Sequence, residues 1–138
     1  MACEYVCPEC RSPLAESGQG FACASCGREY PILFGIPDFR LQGDCYLTLA
    51  AEREKAAKLY EFGRSHDFTA LVSHYYSITD DVPAHLVPIF SGYLLNAELR
   101  SRPALCALAP SGGRHLLDLG CGGGGALIEG SARFAEIT

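Results

Sequence analysis

Four cysteines near the start of the chain stand at a spacing that reads as metal chemistry: Cys7-Pro8-Glu9-Cys10, a gap of twelve residues, then Cys23-Ala24-Ser25-Cys26-Gly27. A C-x2-C step is a tight turn that aims two thiolates at one point, and two such knuckles supply a tetrahedral set. The intervening stretch from Arg11 to Ala22, with Gly18 and Gly20, has the length of a hairpin that brings the knuckles together. Four thiolates in a closed shell suit Zn2+, and iron accepts the same donors.

A second chemical segment lies near the other end: Leu116-Leu117-Asp118-Leu119-Gly120-Cys121-Gly122-Gly123-Gly124-Gly125. An apolar run that closes on an acid and then on glycines is how a buried first strand passes into the nucleotide-binding turn of a doubly wound α/β fold. Glycine allows φ > 0 and lets a ligand reach the main chain, where the next helix presents unpaired N–H groups. Gly120, Gly122 and Gly125 satisfy G-x-G-x-x-G, the dinucleotide pattern; Asp118, Gly120, Gly122 and Gly124 satisfy D-x-G-x-G-x-G. The latter closely resembles the first motif of the class I S-adenosylmethionine-dependent methyltransferases. Asp118 separates the two cofactors, because a carboxylate there repels an arriving pyrophosphate, whereas S-adenosylmethionine carries an ammonium, a sulfonium and no phosphate. The resemblance implies that Asp118, Gly120, Gly122 and Gly124 shape a pocket for the methionine and ribose ends of that cofactor. It also implies transfer of the sulfonium methyl to a nucleophilic acceptor that the sequence does not specify. A nicotinamide-dependent oxidoreductase is the rival. A ligand-free glycine turn is opposed by the helix stability that consecutive glycines forfeit, about 1 kcal/mol each.

After the second knuckle, Tyr30-Pro31-Ile32-Leu33-Phe34-Gly35-Ile36-Pro37-Asp38-Phe39 predicts a last ribbon strand and a turn packing Ile36 and Phe39 under the metal. The block C-P-x-C, C-x-x-C-G, Y-P-I, G-I-P-D-F resembles the small zinc-ribbon activating partners of methyltransferases, and the ribbon fused in front of the rRNA guanine methyltransferases. The first likeness implies a protein partner docked at the ribbon, and with it a further rival reading, a non-catalytic binding module. A ribbon of about 40 residues is at the lower limit for an unaided core, so the metal must contribute folding energy. The eight cysteines are an even number. The first residues nevertheless lack the basic and apolar regions of a secretory signal, so reduced thiols in the cytoplasm are expected rather than a disulfide framework. Among the remaining cysteines, Cys3 is a competing ligand, Cys106 reads as a small buried hydrophobe and Cys121 as a small residue in a crowded turn.

Between the two segments, Thr48 to Phe62 mixes Glu52, Arg53, Glu54, Lys55 and Lys58 with alanines, a solvated helix in which Glu54 and Lys58 form an i,i+4 pair. Asp67 is placed to cap a helix carrying Phe68, Leu71, Val72 and Tyr75. Pro83 and Pro88 bound the next helix, and Arg102-Pro103 interrupts it before Pro110 and Gly112-Gly113 end the region. The methyltransferase resemblance makes these helices a lid, with His74, Tyr75 and Tyr76 as contributors, although helical spacing alone makes Tyr75 core. Ala126 to Phe134 predicts the first helix after the glycine turn, and Ile137-Thr138 leads into a second strand whose ribose-binding acid falls just past Thr138.

The predicted class is therefore α+β: a zinc ribbon at 1–41, a helical lid or linker at 42–112, and at 113–138 the first β-α unit of a doubly wound, Rossmann-like methyltransferase domain. A single parallel strand cannot satisfy its ladder, so the chain reads as the N-terminal part of a longer enzyme, with no catalytic residue assigned in it. The net charge is −5, and the ribbon's acids (Glu4, Glu9, Glu16, Glu29, Asp38) outnumber its bases (Arg11, Arg28, Arg40), which argues against a nucleic-acid grip. No apolar run approaches membrane-spanning length.

Overall fold

A computed structural model describes residues 4–80 and 82–138, so Cys3, the competing ligand, lies outside the described residues. The fold is mixed α+β and divides into two units, Met1–Glu61 and Phe62–Thr138. In the first, four short antiparallel strands form one sheet in the order β1 (Ala15–Ser17), β2 (Gly20–Ala22), β3 (Glu29–Leu33) and β4 (Ile36–Pro37). The predicted hairpin is β1–β2, closed by the two-residue turn Gly18-Gln19 between the paired Ser17 and Gly20. The β2–β3 register sets Phe21 opposite Tyr30. These two rings and the Cys7 and Cys23 side chains make the buried core, with Leu14, Ile32 and Phe39 packed against it. Phe39 lies with its centroid 5.0 Å from Tyr5 and 5.5 Å from both Phe21 and Tyr30, in edge-on or tilted contact, as the sequence predicted. Ile36 does not join it. It pairs with Leu33 across the Phe34-Gly35 turn, at the hairpin tip, and is 68% exposed.

The solvated helix is α1 (Leu49–Gly63), with the Lys58–Glu54 pair at 2.7 Å. It has no buried residue, so its attachment is polar and aromatic instead. Arg53 Nε donates to Asp38 Oδ2 at 2.8 Å, Arg40 Nε donates to Asp38 Oδ1 at 2.8 Å, and Arg40 NH1 reaches Glu52 at 2.8 Å. Phe34 stacks on Tyr60 with centroids 4.5 Å apart. The Asp38 carboxyl is held well below the usual carboxylate range, chiefly by Arg40 and, against the opposing effect of burial, by Arg53.

In the second unit, α2 (Phe68–Ser77) begins as predicted on Asp67, whose Oδ1 accepts from the Ala70 N–H at 2.8 Å. Next come α3 (Val87–Leu95) and α4 (Ala97–Leu108). The helix break falls at Asn96, not at Arg102-Pro103. The Asn96 N–H and side-chain amide both donate to the Gly92 carbonyl, at 3.2 and 2.8 Å, and end α3 there. Pro103 sits inside α4, where its missing N–H removes a single intrahelical bond. Cys106, expected as a buried hydrophobe, is exposed on α4 with Arg133 NH2 3.1 Å from its sulfur.

The chain then forms β5 (Gly113–Leu116), α5 (Gly125–Gly130) and β6 (Phe134–Ile137). β5 and β6 pair in parallel, with Gly113 opposite Phe134, His115 opposite Glu136 and Leu116 opposite Ile137. Two expectations are corrected here. The helix predicted to reach Phe134 stops at Gly130, and the second strand already runs through Phe134–Ile137, so β5 has a ladder partner. At the helix end the Arg133 N–H turns back to the Gly130 carbonyl at 2.8 Å, and Gly130 packs so closely on the Leu116 side chain that a Cβ there would collide. Nor is the apolar run buried, since Leu117 is 63% and Leu119 85% exposed. Among the described residues no helix is long and apolar enough to cross a membrane.

Candidate metal centre and glycine loop

The two cysteine knuckles are built alike. Arg11 N–H donates to the Cys7 carbonyl at 2.7 Å and Cys7 N–H to the Ser12 carbonyl at 2.8 Å; Gly27 N–H and Cys23 N–H repeat this with Cys23 and Arg28, both at 2.9 Å. The residue after each knuckle is left-handed, Gly27 at φ 71° and Arg11 at φ 62°. Glycine accepts that conformation freely, and arginine does so at a cost of about 1 kcal/mol. The four sulfurs of Cys7, Cys10, Cys23 and Cys26 lie within 4.8 Å of one another, Cys7 to Cys26 at 3.6 Å and Cys10 to Cys23 at 3.4 Å. Zn–S bonds of about 2.3 Å in a tetrahedron set the sulfurs about 3.8 Å apart. The cluster is thus positioned to hold a metal ion, and all four cysteines are free thiols, far beyond the roughly 2.05 Å of a disulfide.

Their ionisation is unequal. Burial pushes the Cys7 thiol up, but the Tyr30 hydroxyl, 3.1 Å from its sulfur, together with the Cys10 and Glu9 N–H groups, brings it down to about 6. Tyr30 is itself pushed up by burial and by Cys7, so its hydroxyl keeps the proton and donates. Cys10 is lowered by the Ser12 N–H and hydroxyl. Cys26 gains from the Arg28 N–H, yet burial and the three neighbouring thiols push it up to about 12. Four negative charges cannot share so small a volume unaided, and a divalent cation removes that obstacle. At the surface, Arg28 of one knuckle meets Glu9 of the other at 3.4 Å.

In the second unit, Asp118 follows the C-terminal end of β5. Its N–H donates to the Thr138 carbonyl at 2.9 Å, and Thr138 N–H donates to Leu116 at 2.9 Å, extending the parallel ladder. The next turn carries Gly120, Gly122 and Gly124 at φ 80°, 53° and 73°, and a Cβ on any of them would meet nothing within 4 Å. These three need glycine for their backbone conformation, and they leave an open face. Gly125 is different, since a Cβ there would collide with Ala97 of α4. Asp118, Cys121 and Gly125 line a hollow of about 370 Å³ together with Arg100 and Ser101 of α4. The sequence carried no signal for Arg100, because only the docking of α4 brings it to the loop. A larger hollow, about 640 Å³, includes Glu98, Arg102, Glu129 and Arg133, charges that pair among themselves.

His74, Tyr75 and Tyr76 do not line the glycine-loop hollow. His74 stacks on the Phe62 ring at 4.1 Å, which also carries His66 at 3.8 Å, and Tyr75 meets Tyr76 edge-on at 4.9 Å. Comparison with known proteins finds no matching family model, no matching curated protein and no matching solved structure, so the reading of this chain rests on its own residues.

Proposed function

We propose that the chain is the N-terminal part of a cytoplasmic, class I S-adenosylmethionine-dependent methyltransferase with a structural Zn2+ in its ribbon, the second unit belonging to a Rossmann-like domain. One observation carries the reading. Asp118, whose carboxylate has no ion pair among the described residues, and three open, left-handed glycines follow the first of two parallel strands, the edge at which α/β sheets receive nucleotide-type ligands. Bound there, S-adenosylmethionine would supply an electrophilic methyl group. The chain's own residues hold it, Asp118 attracting the cationic end and Gly120, Gly122 and Gly124 letting the ligand reach the main chain. Exposed Leu117 and Leu119 beside β5 suit a sheet that continues with further elements. Cys7, Cys10, Cys23 and Cys26 fill all four positions around zinc, which then serves folding rather than catalysis. The exposed Ile36 at the hairpin tip favours a second reading in which the ribbon docks a protein and the chain catalyses nothing.

Calorimetry on the full-length gene product tests this. S-adenosylmethionine should bind and NAD should not, and Asp118→Asn should cost the methyl donor about 1–3 kcal/mol. Binding of NAD alone would establish the oxidoreductase reading; a metal-loaded protein that binds neither would leave the docking module.

A further inference from the structure

The geometry points to a peroxide-reactive switch in the ribbon, in which each exposed cysteine of the cluster is oxidised and then resolved by a buried cysteine of the other knuckle. Two disulfides, Cys7–Cys26 and Cys10–Cys23, thereby take the place of the metal. This rests on the zinc reading of the cluster and on nothing in the second unit. The four cysteines divide by exposure: Cys10 and Cys26 are exposed, Cys7 and Cys23 buried. Each knuckle holds one of each kind, and close contacts run between the knuckles, Cys26 to Cys7 at 3.6 Å and Cys10 to Cys23 at 3.4 Å. Every exposed sulfur therefore has a buried one beside it on the opposite knuckle, the arrangement of a peroxide-sensing thiol and its resolving partner. Cys7 is fully covered and has the Tyr30 hydroxyl 3.1 Å from its sulfur, so peroxide meets Cys26 first. Cys45, Cys106 and Cys121 are the contrast, being exposed with no second sulfur in hydrogen-bond reach among the described residues.

A cysteine that ligates a metal does so as thiolate, the form that attacks peroxide. The thiolate of Cys26 or Cys10 attacks one oxygen of hydrogen peroxide, the O–O bond breaks, hydroxide leaves and a sulfenic acid remains on the sulfur. The thiolate of Cys7 or Cys23 then displaces the second hydroxide as the S–S bond forms. Each disulfide gives up two electrons to one peroxide and removes two thiolates from the metal site. After both have formed, no thiolate remains to hold the ion. The new bonds span 19 and 13 positions. Cys10–Cys23 closes the loop that contains the β1–β2 hairpin and Cys7–Cys26 closes around it, so the oxidised ribbon keeps the tie between knuckles that the ion supplied. Bonds within a knuckle, Cys7–Cys10 and Cys23–Cys26, would leave the knuckles free to part.

The whole chain, zinc-loaded and with Cys3, Cys45, Cys106 and Cys121 replaced by serine, confines the reaction to the cluster. Hydrogen peroxide should release its zinc to a chromogenic chelator with about two peroxides consumed per ion, one for each disulfide. Peptide mapping without reduction should find Cys7 joined to Cys26 and Cys10 to Cys23, and dithiothreitol with added zinc should restore the loaded form. Trypsin should cleave the oxidised ribbon after Arg11 and Arg28 about 10-fold more slowly than the reduced chain stripped of zinc by a chelator. Disulfides within the knuckles, sulfinic acids on Cys10 and Cys26 in place of disulfides, or peroxide that releases no zinc would each overturn the switch. So would an oxidised ribbon cleaved as fast as the stripped one. In all four outcomes the zinc reading survives, whereas a chain that takes up no zinc removes that reading and the switch with it.

Discussion

Replacing Asp38 by asparagine should uncouple α1 from the ribbon, and the structure sets the size of the loss. The Asp38 side chain is buried, yet its oxygens receive Arg40 Nε and Arg53 Nε at 2.8 Å, Arg40 NH2 at 3.1 Å and the Arg40 N–H at 3.3 Å. Hydrogen bonds to a charged group contribute about 1.5–3 kcal/mol each. Both guanidiniums are more than a third exposed and partly screened, and asparagine keeps one acceptor, so the expected loss is about 2–3 kcal/mol in total. For a unit of this size that corresponds to roughly 10–20 °C in melting temperature. The pH dependence has a definite sign. Asp38 titrates lower in the folded state than unfolded, so its contribution is complete above the unfolded value of about 3.9 and is lost as pH falls from there towards the folded value. Urea unfolding of the metal-loaded protein, followed by metal release to a chromogenic chelator, measures the first unit. The gap between parent and Asp38→Asn should stay constant from pH 8 to 5 and narrow below 4, and Arg53→Gln should be non-additive with it. A gap under about 0.5 kcal/mol at pH 7, or additivity of the two variants, would refute the clamp.

Elemental analysis should find one zinc per chain, and Cys10→Ser or Cys23→Ser should unfold the ribbon, since a structural zinc contributes on the order of 10 kcal/mol. Tyr30→Phe keeps the ring in the core but removes the donor to Cys7; metal affinity by chelator competition should fall about 10-fold. Arg11→Gly should raise the stability of the first unit by about 1 kcal/mol in denaturant titration, by relieving the left-handed turn after the first knuckle. A thiol reagent should label Cys45, Cys106 and Cys121 in the metal-loaded protein well before any of the four clustered cysteines, as peptide mapping would show.

Legibility followed range. Features decided within a few residues were read correctly from the sequence: the two knuckles, a hairpin between Arg11 and Ala22, the Asp67 cap and the Glu54–Lys58 pair all depend on local spacing. Features decided by approach of distant segments were not. The apolar spacing from Ala126 to Phe134 continues helically through Gly130, whereas the helix ends at Gly130, packed against the Leu116 side chain of β5. Pro103 signals a break, yet Asn96 makes it by capping on Gly92. Cys106 has apolar neighbours in sequence but is exposed on α4 beside Arg133. Asp38 was visible in G-I-P-D-F and Arg53 in the charged helix, with no pattern to pair them across 15 positions. The glycine-rich segment was legible as a turn, and Gly120, Gly122 and Gly124 are left-handed in it, while its neighbour Arg100 depended on helix docking.

The nesting of Cys7 with Cys26 and Cys10 with Cys23 has a consequence for the order of events during synthesis. Loops of this length close in roughly 10–100 ns, whereas a ribosome adds about 5–20 residues per second. The glycine loop is translated about 90 residues after Cys26, a delay of roughly 5–20 s. The four cysteines can therefore come together and Phe21 and Tyr30 be buried while the glycine loop does not yet exist. With a metal held at this cluster, metal starvation in a cell would act first on the nascent chain, leaving those aromatic rings open to chaperones and proteases on the ribosome before the second unit is made.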